Sequence, residues 1–332
     1  MDIAYASNGS AVGGFGAFIP LIIMFLIFYL ILIKPISQAN RIKARKKDAQ
    51  KNIETGPSFD RDILFSNHKG EHKKRIEKRQ TTLLKKVHFL KDFLKDDEKI
   101  ILITAGCSPT SILEQFFTGW IFLYLKRSLF VFTNKRIFHI PTKQDYSYRN
   151  SIAQILYPDC TSIRIKGRTL VFKYKNGKNE KFLFIASKEK KKIKALLQTI
   201  SFAGTSSKNQ KRIHLCPRCT SELEEEEYIC LNCHLEFKDK DEAKKISIIY
   251  PGGGYFYTRH PFLGVSDAIV ETILLVYVIV SLIDVINGVE GSGAVLCIFA
   301  IILVFEKLIT VYHSNHFIKE YIPKEKEIKA IA

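Results

Sequence analysis

The chain has 332 residues, of which 46% are hydrophobic and 25% charged, with 51 Lys+Arg against 33 Asp+Glu and a formal net charge of +18. Its mean hydropathy of +0.00 is an average over apolar ends and a lysine-rich middle, a distribution at odds with a soluble enzyme and consistent with two or three folded units. The seven cysteines are odd in number and four of them form two close pairs, which excludes a disulfide framework and points to a reducing compartment.

Residues 1–14 read as an external tail. From Phe15 to Ile33 there are 19 consecutive uncharged residues, which as a helix span about 28 Å, close to the hydrocarbon thickness of a bilayer. A cleaved signal peptide requires basic residues before the apolar stretch. Here they follow it, at Lys34, Arg41, Lys43, Arg45, Lys46 and Lys47. The segment is therefore expected to be an anchor with the N-terminus outside and the following residues in the cytosol. Residues 34–75 are polar and basic, broken at Gly56-Pro57, and read as a linker. Leu83, Val87, Leu90 and Leu94 then recur at helical spacing, giving an apolar stripe for a domain core or, alternatively, a membrane surface.

From Lys99 the period changes to two. Ile100–Ile103 and Phe122–Leu125 are short apolar runs. Ser128–Pro141 predicts two strands around an Asn134-Lys135 turn. Ile163 and Ile165 precede Gly167-Arg168, and Val171–Tyr174 ends at Asn176-Gly177, a strong hairpin signal, before Phe182–Ile185. Ser187 is a plausible N-cap for a helix through Ile193, Leu196 and Leu197 to about Ile200. Residues 76–202 thus predict an α+β unit of antiparallel strands closed by a C-terminal helix.

The stretch Leu129-Phe-Val-Phe-Thr-Asn-Lys-Arg-Ile137 resembles the signature strand pair of bacterial pleckstrin-homology-like domains, related to the GRAM type. Ile152, Ile155, Thr169–Tyr174, Asn176-Gly177 and the closing helix follow in the expected order, with Cys107–Gly119 as an insertion. The resemblance covers about 100 residues and implies a module that binds lipids, peptides or proteins.

After a linker at 203–213, Cys216-Pro-Arg-Cys219 and Cys230-Leu-Asn-Cys233 enclose ten residues. Thiolates two residues apart share one tetrahedral metal, and two such pairs complete a four-cysteine shell. Residues 214–238 resemble a short zinc ribbon, with Cys216, Cys219, Cys230 and Cys233 as ligands of one structural Zn2+ per chain. A redox dithiol is the alternative, but one pair suffices for that chemistry. His214 and His234 flank the pairs as neighbours or solvent-facing residues rather than ligands.

Tyr250-Pro-Gly-Gly-Gly-Tyr-Phe-Tyr257 lacks the Lys-Ser/Thr of a phosphate loop. It resembles the start of small two-helix membrane hairpins, placing a hairpin at 243–312. Its spans, Val265–Asn287 and Ala294–Tyr312, carry Asp267, Glu271, Asp284, Glu306 and Lys307. A buried soluble helical hairpin is the alternative. The connector Gly288–Gly293 has no Lys or Arg, whereas four Lys follow Tyr312. The tail, 313–332, is therefore expected in the cytosol. Taking the connector as centred near Glu290, Glu271 and Lys307 lie at matching depths and are expected to pair, with Asp267 or Glu306 in reserve; the alternative is that all four snorkel.

Phe25-Leu-Ile-Phe-Tyr-Leu-Ile-Leu-Ile-Lys-Pro35 and the basic residues after it resemble the anchor of the YajC accessory subunit of the bacterial preprotein translocase, which implies the bacterial cytoplasmic membrane; the three spans make the expected protein multi-pass. No nucleophile elbow, zinc-protease helix or phosphate loop occurs, and the nine histidines are scattered. The expected function is a non-catalytic membrane scaffold that presents its β domain and ribbon to a protein or anionic phospholipid partner, linked to protein translocation or membrane assembly. The alternative is nucleic-acid or ribosome binding through the ribbon and lysines, against which stand Glu222 and Glu224–Glu227. A third reading is transport or stress sensing through the hairpin charges.

Overall fold

The computed structural model describes residues 56–110, 125–208 and 210–324. The expected first span, the tail before it, the linker up to residue 55, the start of the Phe122–Leu125 run, most of Cys107–Gly119 and residues 325–332 lie outside the described residues. By contacts the chain divides into residues 1–55 and 56–332. The second unit is a mixed α+β structure with two antiparallel sheets and two long apolar helices.

Helix α1 (Arg61–Phe65) starts on Asp60, whose carboxylate accepts from Ile63 N–H at 2.9 Å. Helix α2 (Lys74–Lys86) gives way to a 3₁₀ segment, His88–Phe93. The apolar stripe at Leu83–Leu94 is thus not one continuous helix. Val87, Leu90 and Phe93 recur every third residue, the period that a 3₁₀ helix aligns on one face. All three are buried, and the stripe packs into a core, as one of its two sequence readings holds.

Strands β1 (Ile100–Cys107), β2 (Arg127–Thr133), β3 (Arg136–Pro141) and β4 (Ile152–Leu156) form an antiparallel meander, and β5 (Cys160–Lys166), β6 (Thr169–Tyr174) and β7 (Asn179–Phe182) form a second. Cys107 and Leu183 exchange backbone hydrogen bonds of 2.8 and 3.2 Å that link the two. The turns sit where Asn134-Lys135, Gly167-Arg168 and Asn176-Gly177 placed them; Gly167 and Gly177 have φ of +59° and +82°. The run Leu129–Phe132 is apolar at every position because both faces of its sheet are covered. Phe130 and Phe132 point into the core shared with the second sheet, which helix α3 (Lys190–Thr199) closes with Ile193. Leu129 and Val131 point the other way, against α1, α2 and the 3₁₀ segment.

Ser187 does not cap α3. It begins a 3₁₀ turn, and Glu189 holds the N-cap position without a side-chain cap bond. The Glu189 carboxylate is instead engaged by Arg79 and by Gln80 (3.1 Å) of α2, so the helix start is fixed by packing rather than by a local cap. Lys192 replaces a cap for α1, donating to the carbonyls of Leu64 (3.0 Å) and Ser66 (2.7 Å).

The expected linker at 203–213 is fastened at Ser207, whose hydroxyl donates to Asp159 at 2.6 Å. It leads into β8 (Ile213–Leu215), which pairs with β4 and becomes the fifth strand of the first sheet. Beyond the cysteine segment come α4 (Lys240–Ile249), α5 (Gly253–Tyr257), α6 (Pro261–Ile286) and α7 (Ser292–Ile318). Helices α6 and α7, with 26 and 27 residues, are long and apolar enough to cross a membrane, and most of their apolar side chains are exposed. The α6–α7 connector turns on Gly288 and Gly291, with φ of +75° and +77°. Helix α7 continues past Tyr312 to Ile318, so the basic segment expected from residue 313 begins inside the helix; Phe317, Ile318, Tyr321 and Ile322 are buried while Lys319 and Lys324 face out. Four apolar side chains in six residues hold that segment to the protein despite its lysines.

Candidate metal centre and hairpin charge cluster

The four-cysteine segment is an internal repeat. Leu215-Cys-Pro-Arg-Cys-Thr-Ser-Glu222 and Ile229-Cys-Leu-Asn-Cys-His-Leu-Glu236 have the same architecture. In each, the first and last residues form a β-bridge, Leu215 with Glu222 and Ile229 with Glu236. The residue after the second cysteine is left-handed, with φ of +62° at Thr220 and +55° at His234, and its N–H donates to the carbonyl of the first cysteine at 2.9 Å in both. His234 therefore occupies a turn position. His214 is packed against Tyr321 with ring centroids 4.8 Å apart, and burial together with Arg212 pushes its pKa well below the usual histidine range. Neither histidine belongs to the sulfur cluster.

The two turns bring Cys216, Cys219, Cys230 and Cys233 together, with all four sulfurs within 4.8 Å of one another. Cys216 Sγ lies 3.5 Å from Cys233 Sγ, and Cys219 Sγ lies 3.6 Å from Cys230 Sγ. A tetrahedral ion with metal–sulfur bonds of about 2.3 Å requires edges of about 3.8 Å. These two edges are within a few tenths of an ångström of that and all six lie within 4.8 Å, so the set can hold a metal ion. A second observation fits a thiolate-bound ion: the buried Tyr148 hydroxyl has no hydrogen-bond partner among the described residues and lies within electrostatic reach of the Cys216 sulfur. A metal-bound thiolate is an acceptor for such a donor.

The centre is tied to both neighbours. On one side, Leu215 of β8 is buried in the sheet core. On the other, Tyr321 packs against Cys216, Cys230, Leu235 and Phe237. Its hydroxyl donates to the Glu224 carbonyl at 2.7 Å and accepts from Glu226 N–H at 2.9 Å. Lys238 N–H donates to Ile322 O and Lys324 N–H to Glu236 O, both at 2.9 Å, so residues 322–324 extend the segment as an added edge. Ser151 donates to the Glu320 carbonyl, and His260, stacked on Phe317 at 3.9 Å, meets Arg149 at 2.9 Å. Of the acidic loop, Glu222 accepts from Gln154 at 2.7 Å and Glu226 pairs with Lys240 at 2.8 Å.

At the start of the hairpin, Lys307 Nζ lies 2.6 Å from Glu271 Oε2, the pair that matching depths require. The same oxygen accepts from Gly252 N–H at 3.2 Å, and Lys307 also donates to the Ser247 carbonyl at 3.0 Å. Thr310 bridges Asp267 (2.9 Å) and Glu306 (3.2 Å), so all the expected charged residues except Asp284 converge. The glycine run makes this possible: a Cβ on Gly254 would overlap the Ser247 and Ser314 hydroxyls, and one on Gly252 would overlap the Gly264 carbonyl. The run is a packing surface between α4, α6 and α7.

One constellation was not legible in the sequence. Buried His139 lies 2.9 Å from Ser108 Oγ through Nε2, with Ser128 Oγ 3.1 Å away, and its Nδ1 meets Arg212 at 2.8 Å. Arginine can only donate, so Nδ1 is the acceptor and the ring proton sits on Nε2, facing the serines. The imidazole cannot take a proton from either hydroxyl, and burial with Arg212 beside it holds its pKa well below the usual value. This is a buried polar network rather than a nucleophile and its base. The chain matches no known protein family, no curated protein and no solved structure.

Proposed function

We propose that the protein is a non-catalytic scaffold of the bacterial cytoplasmic membrane, with its N-terminus outside and its C-terminus in the cytosol. It presents a pleckstrin-homology-like domain and a zinc ribbon as one platform to a cytosolic protein or anionic lipid partner. The observation that carries this is the continuity of the platform: β8 joins the metal segment to the sheet, and residues 320–324 join it to the end of the second apolar helix. A module so braced holds a fixed orientation to the membrane that α6 and α7 are long enough to cross.

The domain assignment is supported by meanders of four and three strands closed by a C-terminal helix. Four soft thiolate donors with no fifth ligand among the described residues favour a closed, structural Zn2+. The third span, at 15–33, rests on the sequence alone. Presentation is supported by Ile229 and Leu231, 50% and 69% exposed on the second cysteine turn. It is supported too by a cleft of about 600 Å3 between the first turn and α2, lined by Lys85, Phe89, Tyr148 and Arg218.

The test places a photo-crosslinking residue at Leu231 or Lys85 of the full chain in native membranes. The expected result is a discrete protein or phospholipid adduct that is lost in Cys219→Ser. Absence of adducts at both positions overturns the scaffold reading, and RNA adducts would replace it with the nucleic-acid alternative.

A further inference from the structure

The hairpin charges are more than one ion pair. Asp267 and Glu271 of α6 and Glu306 of α7 have carboxylate oxygens within 4.8 Å of one another. Carboxylates this close repel one another unless a proton lies between them. Two further observations call for the same proton. Glu271 is 1% exposed and its Oε1 has no hydrogen-bond partner among the described residues, and Glu306 Oε2 is likewise buried without a partner. Lys307 and Gly252 N–H both serve the other Glu271 oxygen, Oε2, and Thr310 serves Glu306 Oε1.

Charge gives the number. Three carboxylates against the single Lys307 ammonium leave two negative charges uncompensated. An uncompensated charge within the apolar depth of a membrane is costly, and protonation removes that cost. The other groups facing the site do not neutralise it. Tyr255 of α5 presents an uncharged phenol, whose hydroxyl is engaged by His313 Nδ1 of α7 at 2.6 Å. Helix α4 contributes Ser247, an uncharged hydroxyl and carbonyl. A divalent metal would balance the count, but Lys307 already stands 2.6 Å from a candidate ligand oxygen and would repel it.

We infer that Asp267, Glu271 and Glu306 form a proton-binding site at the cytosolic end of the hairpin, holding two protons beside a charged Lys307. Two carboxylates each take one proton from the aqueous side to become carboxylic acids, and the third stays ionised as the partner of Lys307. Glu271 receives Gly252 N–H, so the load of the site also bears on the glycine loop that joins α4 to the hairpin. The inference rests on the membrane placement proposed above.

Infrared difference spectroscopy on the full chain in lipid nanodiscs tests it, recording the carboxylic-acid carbonyl stretch as the medium is taken from neutral to strongly alkaline. The expected result is an acid band at neutral pH that diminishes in Asp267→Asn and in Glu306→Gln, isosteres that keep the packing. A site with bare carboxylates shows no acid band, and a band untouched by either substitution belongs to other residues. Either result overturns the proposal, as does loss of the band on adding Mn2+ or Mg2+, which would make the site a metal site. Carbonate extraction of native membranes separates the two readings: release of the protein refutes the membrane placement itself.

Discussion

Removing the metal ion should release the end of the second apolar helix as well as the cysteine turns. Each turn is held by two backbone hydrogen bonds, Thr220 N–H to Cys216 O and Cys216 N–H to Ser221 O in the first, His234 N–H to Cys230 O and Cys230 N–H to Leu235 O in the second. At a net 0.5–1.5 kcal/mol each, they contribute roughly 2–6 kcal/mol. A structural zinc supplies about 10–16 kcal/mol of apparent binding energy at neutral pH. If the four cysteines hold the proposed Zn2+, the ion and not the turns would decide whether residues 216–237 stay folded. Tyr321 packs on two of the cysteines and bonds the acidic loop at Glu224 and Glu226, so its support fails with them. Hydrogen exchange read by mass spectrometry on the full chain, with and without a zinc chelator or as Cys216→Ser, should show lost protection at 216–237 and 319–324. Strands β1–β3 should keep theirs, because of the cysteine turns only Leu215, at the edge of the first, enters their two cores. Retained protection at 216–237 after verified metal loss would refute the reasoning; retention at 319–324 alone would show that the tail is held from the Phe317 side.

In the hairpin, Glu271→Lys should lower the protein's level in membranes, and adding Lys307→Glu should restore it; a double variant as poor as the two single changes combined would mean the 2.6 Å pair contributes nothing. Glu98→Gln should destabilise the β domain by about 3–5 kcal/mol, because it leaves the buried Arg136 guanidinium without its carboxylate, 2.9 Å away; circular-dichroism melting reads this. Burial alone would raise the Glu98 pKa, but Arg136, Lys95 N–H and Thr133 outweigh it and hold the value below the usual 4.5. The carboxylate's contribution is therefore full above that pH and lost as pH falls through the lowered value, and the melting temperatures of wild type and Glu98→Gln should converge in acid. Gly254→Ala should prevent α5 from nesting between Ser247 and Ser314, and a cysteine crosslink between positions 247 and 314 should form in the wild-type background and fail in the variant.

Much of the β domain was legible because its signals are local. Asn176-Gly177 and Asn134-Lys135 fix turns whatever surrounds them, and the alternating runs beside them become strands. The cysteine spacing placed four sulfurs together for the same reason, and aligning Leu215–Glu222 with Ile229–Glu236 sets His234 opposite Thr220, a position no ligand occupies in the first turn. Ser187 misled because the competing claim on the helix start comes from Arg79 and Gln80, more than a hundred residues away in sequence. The His139 network was hidden likewise: Ser108, Ser128, His139 and Arg212 have no common spacing and meet only when β1, β2, β3 and the approach to β8 are side by side.

The segment after Tyr312 shows how one signal can mask another. Its lysines, read by charge, made a cytosolic tail, and Lys319 and Lys324 do face outward. Between them Tyr321 and Ile322 have no helical or alternating partners in their own sequence, so their burial could not be read from periodicity. They are apolar because the metal segment supplies the other half of their core: Phe237 meets Tyr321 edge-on at 5.7 Å and bridges to Pro323. The metal segment in turn contributes few large side chains, Leu235 and Phe237 foremost, too small a core to be stable alone. Each piece is incomplete without the other. The chain runs from one to the other through the hairpin, so the metal segment gains its full core only once α6 and α7 have returned Tyr321 to it.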